Sequence, residues 1–201
     1  MPLILASASP RRLELLRQIG VESEVCAAEI DETVQPGEAA GDYVLRLARQ
    51  KAEKVYAENL AGQSELLCLG SDTSVVLNGQ ILGKPEHFAA SRQMLQQLSG
   101  TKHQVMTAVA LVGAFGVRQC LVTTDVWFRA LTEEEIAAYW ASGEPQDKAG
   151  SYGIQGLGAV FVDHIEGSYS AVVGLPLNET AQLLQAAGVP IWQRLQEIKE
   201  P

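Results

Sequence analysis

Residues 66–77 read LLCLGSDTSVVL, an aliphatic and β-branched run interrupted only by Gly70, Ser71, Asp72 and Thr73, with Ser74 just beyond. Such a run suits a strand buried on both faces of a sheet. Asn78-Gly79 follows at once and is a strong two-residue hairpin signal, with residues 80–82 as the return strand. A two-residue loop pairs Leu77 with Gln80 and, carried on, Thr73 with Lys84. That register brings Lys84, in Gly83-Lys84-Pro85, to the neighbourhood of Asp72. Strict alternation places Lys84 on the face of Thr73, and the strand is expected to end at Pro85. A carboxylate in a core strand is paired, binds metal, or carries a shifted pKa suited to a general base. The structural alternative is an Asp accepting backbone N–H groups at a bulge.

Outward from this strand, the chain reads as alternating strands and helices. Residues 3–6 form a short buried strand. Ser9-Pro10 then opens a helix, with Ser as the N-cap and Pro at the first helical position. Leu13, Leu16 and Ile19 form its apolar stripe, and Gly20 ends it. A second strand over 23–27 leads to the acidic loop Glu29-Ile30-Asp31-Glu32. Asp42 is expected to cap a helix reaching about Glu58, with Val44, Leu47, Ala48, Lys51 and Val55 on one face.

Beyond the hairpin, 88–98 reads as helix, and 105–112 and 120–128 as strands around the turn 113–116. Thr132 with Glu135 forms a capping box before a helix over 136–140. Residues 148–158 are glycine-rich. Strands are expected at 159–162 and 169–173, and helices at 176–187 and 190–199. The fold class is α/β: a mixed twisted sheet with flanking helices, in one domain spanning residues 1–201 with no repeat or linker.

With 201 residues, 47% hydrophobic and 19% charged, the composition is that of a globular chain. No apolar run approaches the roughly 20 residues of a membrane span. In MPLILASASPRR the basic residues follow the apolar stretch, the reverse of a secretory signal, so no targeting segment is expected. Cys26, Cys68 and Cys120 are odd in number and widely spaced, which argues against disulfides and zinc and for a reducing, cytoplasmic setting. A net charge of −9 disfavours nucleic acid and anionic membrane as partners. A polyanionic small molecule would need a local basic cluster, a divalent cation, or both.

Several groups meet that need. Ser7-Ala8-Ser9-Pro10-Arg11-Arg12 places two arginines in the first turn of a helix, beside the positive end of its dipole. Free N–H groups, hydroxyls and two guanidinium forks together suit a phosphate. Lys51 interrupts an apolar helix face; it either pairs with an anion or snorkels at the rim. Glu29, Asp31 and Glu32 suit a hard cation such as Mg²⁺ or Mn²⁺, though acidic loops are commonly only solvated. Glu133-Glu134-Glu135 is explained by capping and the helix dipole. In Lys148–Gly158, four glycines permit close backbone approach to a ligand, and Lys148, Tyr152 and Gln155 are candidates for a substrate wall. A plain turn is the alternative. There is no GxGxxG, GxxxxGK[ST] or GxSxG, and His87, His103 and His164 are scattered.

The segments SASPRR, AEIDE, LRLARQKA, GSDT, LGKP, SGTKHQVMTAVAL, DKAGSYGIQG and VGLPL, in this order, resemble the Maf family of nucleoside triphosphate pyrophosphatases over about Leu3 to Leu184. The resemblance implies a fold similar to the inosine triphosphate pyrophosphatases, with two lobes around a central cleft. It implies hydrolysis between the α- and β-phosphates to a monophosphate and pyrophosphate. Carried over by motif, Asp72 would be the proton acceptor. Ser7, Arg11, Arg12, Lys51 and Lys84 would hold phosphates, and Glu32 with Asp72 would hold a divalent metal, Mg²⁺ or Mn²⁺. Arg11, Thr73 and Gln155 resemble the branch acting on dTTP and UTP. A sister branch acting on 7-methyl-GTP has an aromatic residue in place of Arg11 and Glu in place of Gln155. A Gln amide both donates and accepts, matching O4 and N3–H of thymine or uracil. The resemblance also suggests a homodimer, and a non-catalytic regulator of cell division is the competing expectation.

Overall fold

The first strand, β1 (Leu3–Leu5), runs parallel to both of its neighbours, with Ile4 level with Glu24 of β2 (Glu24–Val25) and with Cys68 of β3 (Leu67–Leu77). These relations come from a computed structural model, which describes residues 1–60 and 65–192. Among the described residues the strands form one seven-stranded mixed sheet in the order β2-β1-β3-β5-β6-β7, with β4 (Gln80–Leu82) paired to β3. β5 (Lys102–Gly113) and β6 (Gly116–Phe128) are the long hairpin, and β7 (Val162–Glu166) is antiparallel to β6. The helices are α1 (Pro10–Gln18), α2 (Ala40–Asn59), α3 (Phe88–Leu98), α4 (Glu133–Ala141), α5 (Tyr169–Val173) and α6 (Leu177–Ala186). The mixed sheet with flanking helices is the fold class that the alternation of apolar patterns implies.

The chain divides into two compact units. The first comprises the described residues of Met1–Asp72, Thr107–Leu121 and Gly174–Pro201, and the second Thr73–Met106 and Val122–Val173. In the first, one cluster of the core packs Ile4, Ala6, Val55, Leu66 and Cys68 together. In the second, Leu95 and Leu98 of α3, Val105, Val126, Phe128, Ile136 and Phe161 close a core that also buries Tyr139 and Tyr152.

Local chemistry explains where the elements differ from expectation. Ser9 is the N-cap of α1 by backbone geometry, but its side chain makes no capping bond; the Ser7 hydroxyl instead accepts from the Ser9 amide at 3.2 Å. Helix α2 begins at Ala40, so Asp42 lies in its first turn, where its charge complements the dipole, and does not cap it. The hairpin turn places Asn78 at φ 50° and Gly79 at φ 80°, both left-handed as a type I′ turn requires, and Leu77 pairs with Gln80. The pairing stops at Val75–Leu82, so Lys84 is not opposite Thr73 as the extended register predicts. The chain leaves the sheet at Gly83, whose carbonyl accepts from the Gly150 amide at 3.0 Å.

Two expected strands are not strands. Leu157–Phe161 is a 3₁₀ turn and β7 starts only at Val162. Tyr169–Val173 is helical despite its β-branched residues, because the Ser168 hydroxyl caps the Ala171 amide at 3.2 Å while Thr124 Oγ1 fixes the Ser168 amide at 3.0 Å. Of the helix expected over 190–199, residues 190–192 are not helical and 193–199 lie outside the described residues.

Candidate active site

Lys51 sits on the apolar face of α2 and is only 8% exposed, with its ammonium directed at Asp72 of β3. The close approach of strand to helix follows from Gly70. A Cβ built there would lie 2.1 Å from the Ala48 carbonyl oxygen and 2.9 Å from the Ala52 nitrogen, so only glycine lets α2 settle against β3 at this level. Asp72 is 7% exposed and accepts from Lys51 Nζ at 2.7 Å. The same ammonium meets Glu32 Oε1 at 2.6 Å. Lys51 is thus paired with two carboxylates, and the alternative of snorkelling at the rim fails.

Burial pushes the Asp72 carboxyl above the usual aspartate range. Lys51 and Arg12 pull it down without cancelling that effect, and Glu32 adds to the upward push. A carboxylate so poised suits proton acceptance better than an ordinary exposed Asp.

Arg12 completes the group. Its Nε donates to the Gly174 carbonyl at 2.9 Å and its Nη1 to the buried Ser7 hydroxyl at 3.1 Å. Burial lowers its pKa, Asp72 raises it, and neighbouring Arg11 lowers it again. The Gly174 carbonyl also accepts from the buried Ser71 hydroxyl at 2.9 Å. Ser71 is marked in the sequence only as part of the polar interruption around Asp72, and Gly174 carries no signal of composition or periodicity, although it lies in the VGLPL segment.

The acidic loop is strapped to α2. Tyr43 Oη donates to the Glu32 carbonyl at 2.9 Å, Arg46 Nη2 to the Thr33 carbonyl at 3.1 Å, and Lys54 Nζ to the Glu29 carbonyl. Burial, with Asp72 and Glu32 nearby, pushes the Tyr43 phenol up to about 12, which keeps it a donor. Asp31 is turned to the Thr33 amide at 2.9 Å. Of the three loop carboxylates, Glu32 is therefore the one that meets Asp72 around Lys51. The cation on which they converge is the Lys51 ammonium; among the described residues no group of three or more His, Cys, Asp or Glu side chains is placed to hold a metal ion, so Glu32 and Asp72 are the carboxylate pair that a hard cation would have to use.

The second unit carries Thr73, Lys84, Lys148 and Gln155. Lys84 and Gln155 are exposed and Thr73 is half-buried. The Lys148 ammonium donates to the Glu144 carbonyl at 2.6 Å and to Asp147 Oδ1 at 2.8 Å, within its own turn. Tyr152 is buried against His103, its hydroxyl 2.8 Å from His103 Nε2, and so forms no exposed wall. The loop glycines make close approaches, but at Gly153, Gly156 and Gly158 it is the protein's own Lys148, Glu144 and Tyr139 that fill the space a Cβ would need. Glu144 was not legible from the sequence, where it precedes a proline in a polar turn.

The first unit thus brings together a guanidinium anchored beside a buried hydroxyl, an ammonium shared by two carboxylates, and an Asp raised by burial in a core strand, groups of the kinds that phosphate chemistry uses. Residues 2–187 match the Maf-like protein family, and the chain belongs to it. It is 59% identical over 189 residues to a dTTP/UTP pyrophosphatase of Colwellia psychrerythraea, covering 92% of this chain and 88% of the relative. Identity is 53% over 190 residues to the dTTP/UTP pyrophosphatase of Hahella chejuensis, covering 94% of each chain. Against the protein of that name from Escherichia coli O157:H7 it is 57% over 182 residues, covering 90% of this chain and 91% of the other. A nucleoside-triphosphatase (dITP/XTP pyrophosphatase) structure from Mycobacterium abscessus aligns loosely, at TM-score 0.42 and 18% identity, over 71% of this chain and 95% of that one.

Proposed function

We propose that this protein is a nucleoside triphosphate pyrophosphatase that hydrolyses dTTP and UTP to the monophosphate and pyrophosphate. The observation that carries the reading is the shared ammonium of Lys51, which joins buried Asp72 to Glu32 beside the Ser7–Arg12 pair. The names of the Colwellia, Hahella and Escherichia relatives support the substrate class.

In this reading Asp72 takes the proton of the attacking water. The new O–P bond forms at the α-phosphorus, the bond to the β-phosphate breaks, and pyrophosphate leaves. Arg11 and Arg12 bind phosphate oxygens, with Ser7 and the Gly174 carbonyl fixing the fork of Arg12, so that positive charge is in place before negative charge develops. Lys51 orients Asp72 and neutralises charge beside it, and Lys84 is assigned to the phosphates as well. Glu32 and Asp72 are the residues that would hold Mg²⁺ or Mn²⁺; when bound, the ion supplies Lewis-acid stabilisation of the phosphate oxygens. Arg11, Thr73 and Gln155 are assigned to base selection, and Lys148, tied into its own turn, to the same loop. A cytoplasmic location agrees with the three free cysteines. Among the described residues no helix is long and apolar enough to cross a membrane. A homodimer is part of the same reading, and sedimentation at working concentration tests it.

The decisive experiment measures pyrophosphate release from a panel of nucleoside triphosphates with Mg²⁺ or Mn²⁺, for the wild type and Asp72→Asn. Preference for dTTP and UTP, abolished in the variant while nucleotide binding persists, is the expected result. A clear preference for 7-methyl-GTP would overturn the base assignment. Binding without turnover in the wild type would overturn the enzyme.

A further inference from the structure

The loop that carries Gln155 is folded around a single carboxylate. Glu144 Oε2 accepts from the Leu157 amide at 2.7 Å, and Oε1 accepts from the Gly158 amide at 3.1 Å and from Tyr139 Oη at 2.8 Å. Tyr139 Oη in turn accepts from the Gly153 amide at 3.1 Å. Amides on both sides of Gln155, at 153 and at 157–158, thus end on one two-residue assembly. The glycines record how tightly the loop is drawn in. A Cβ on Gly156 would lie 2.2 Å from Glu144 Oε2, and one on Gly158 would lie 2.7 Å from Tyr139 Oη.

The assembly is anchored below. Tyr139 is 4% exposed and packs edge-on against Phe161, with ring centroids 4.9 Å apart. Burial pushes the Glu144 carboxyl up, but the Leu157 and Gly158 amides, Tyr139 and Lys148 outweigh it and leave the group below the usual glutamate range. Burial likewise raises the Tyr139 phenol, so it remains a donor to the carboxylate. Gln155, held between these fixed amides, is exposed.

We infer that Glu144, with Tyr139, is a positioning residue for base selection: it sets the backbone on both sides of Gln155 and so fixes where the Gln155 amide meets the base. The inference rests on the assignment of Gln155 to the base made above, and concerns a residue whose carboxylate is bonded to the loop and to Tyr139. Three hydrogen bonds end on the Glu144 carboxylate and a fourth, from the Gly153 amide, on its partner Tyr139, so three amides of the 153–158 loop are committed to this one pair. A loop fixed in this way presents its side chain without an ordering cost on binding.

Glu144→Gln tests this, because the amide keeps the shape while placing N–H groups against N–H groups. Gly156→Ala is the second variant, displacing the loop with Glu144 intact. The expected result is faster hydrogen exchange at the Leu157 and Gly158 amides and an about tenfold lower ratio of kcat/KM for dTTP over GTP. The change falls in KM for dTTP, with kcat within about twofold. Inhibition by inorganic tripolyphosphate, which has no base, stays as in the wild type. Unchanged exchange at both amides overturns the inference. So does a loss of kcat on dTTP and GTP alike, with weakened tripolyphosphate inhibition, which would mark general damage. Gln155→Ala is run beside them. If it alters the dTTP/GTP ratio and neither other variant does, the inference alone fails; if it leaves the ratio unchanged, the assignment of Gln155 fails, and with it the role given to Glu144.

Discussion

Gly70 lies so close to Ala48 that a Cβ on it would stand 2.1 Å from the Ala48 carbonyl oxygen, and this contact sets how near α2 comes to β3. Three residues along α2 is Lys51, and two along β3 is Asp72, whose 2.7 Å ion pair depends on that spacing. Gly70→Ala must push helix and strand apart. We expect a loss of about 1–3 kcal/mol in denaturant unfolding, as for other overpacked cores. Pyrophosphate release should fall by more than stability alone explains. Retention of wild-type turnover in a folded Gly70→Ala protein would show that the ion pair tolerates the displacement.

The Lys51–Asp72 pair is buried at both ends, with each side chain 10% exposed. Lys51→Ala leaves a buried carboxylate without its cation and is expected to cost about 3–5 kcal/mol. Asp72→Asn removes the charge and should lower turnover by about a hundredfold or more while the protein stays folded. The combination of the two should be more stable than Lys51→Ala alone, since the uncompensated charge is gone. A double-mutant cycle by thermal unfolding reads this directly, and simple additivity would contradict it.

His103 predicts a dependence on pH. Burial lowers its pKa from 6.5 to about 4, against a small opposing pull from Asp125. In the folded protein it stays neutral where the unfolded chain binds a proton, so its contribution is complete above pH 6.5 and is lost as pH falls from 6.5 toward 4. The loss is on the order of 3 kcal/mol. His103→Gln removes that titration, and the slope of unfolding free energy between these pH values should flatten. An unchanged slope would assign the acid sensitivity elsewhere.

Ser7 and Ser9 separate capping from anchoring. The Ser9 side chain makes no cap bond, so Ser9→Ala should shift stability by less than about 0.5 kcal/mol, below the usual loss for a capping serine. Ser7 Oγ accepts from both the Ser9 amide and Arg12 Nη1, so Ser7→Ala should raise KM for the nucleotide. Titrating substrate with both variants distinguishes them, and equal KM values would remove Ser7 from the site.

Much of this was legible because local signals agreed with the fold. The apolar run around Asp72, the Asn78-Gly79 turn and the Thr132–Glu135 capping box each specify short-range geometry, and each forms as read. Lys51 stood out because its helix phase was wrong for a charge. What failed depended on distant partners. Residues 169–173 have strand-like composition, but a hydroxyl at Ser168, itself held by Thr124, starts a helix. Lys84 leaves the hairpin register because Gly150 claims the chain at Gly83. Glu144 is invisible because its donors lie 13 and 14 residues away in a loop with no periodicity.

The bond from Arg12 Nε to the Gly174 carbonyl closes a span of 162 residues. During synthesis the amino-terminal arginine therefore waits for nearly the whole chain to be made before its guanidinium acquires this acceptor. β1 can meet β3 much earlier, so this part of the sheet is able to form while the surroundings of Arg12 are still unfinished. Nascent or truncated products stopping short of Gly174 would carry the sheet's beginnings with an Arg12 that lacks this acceptor.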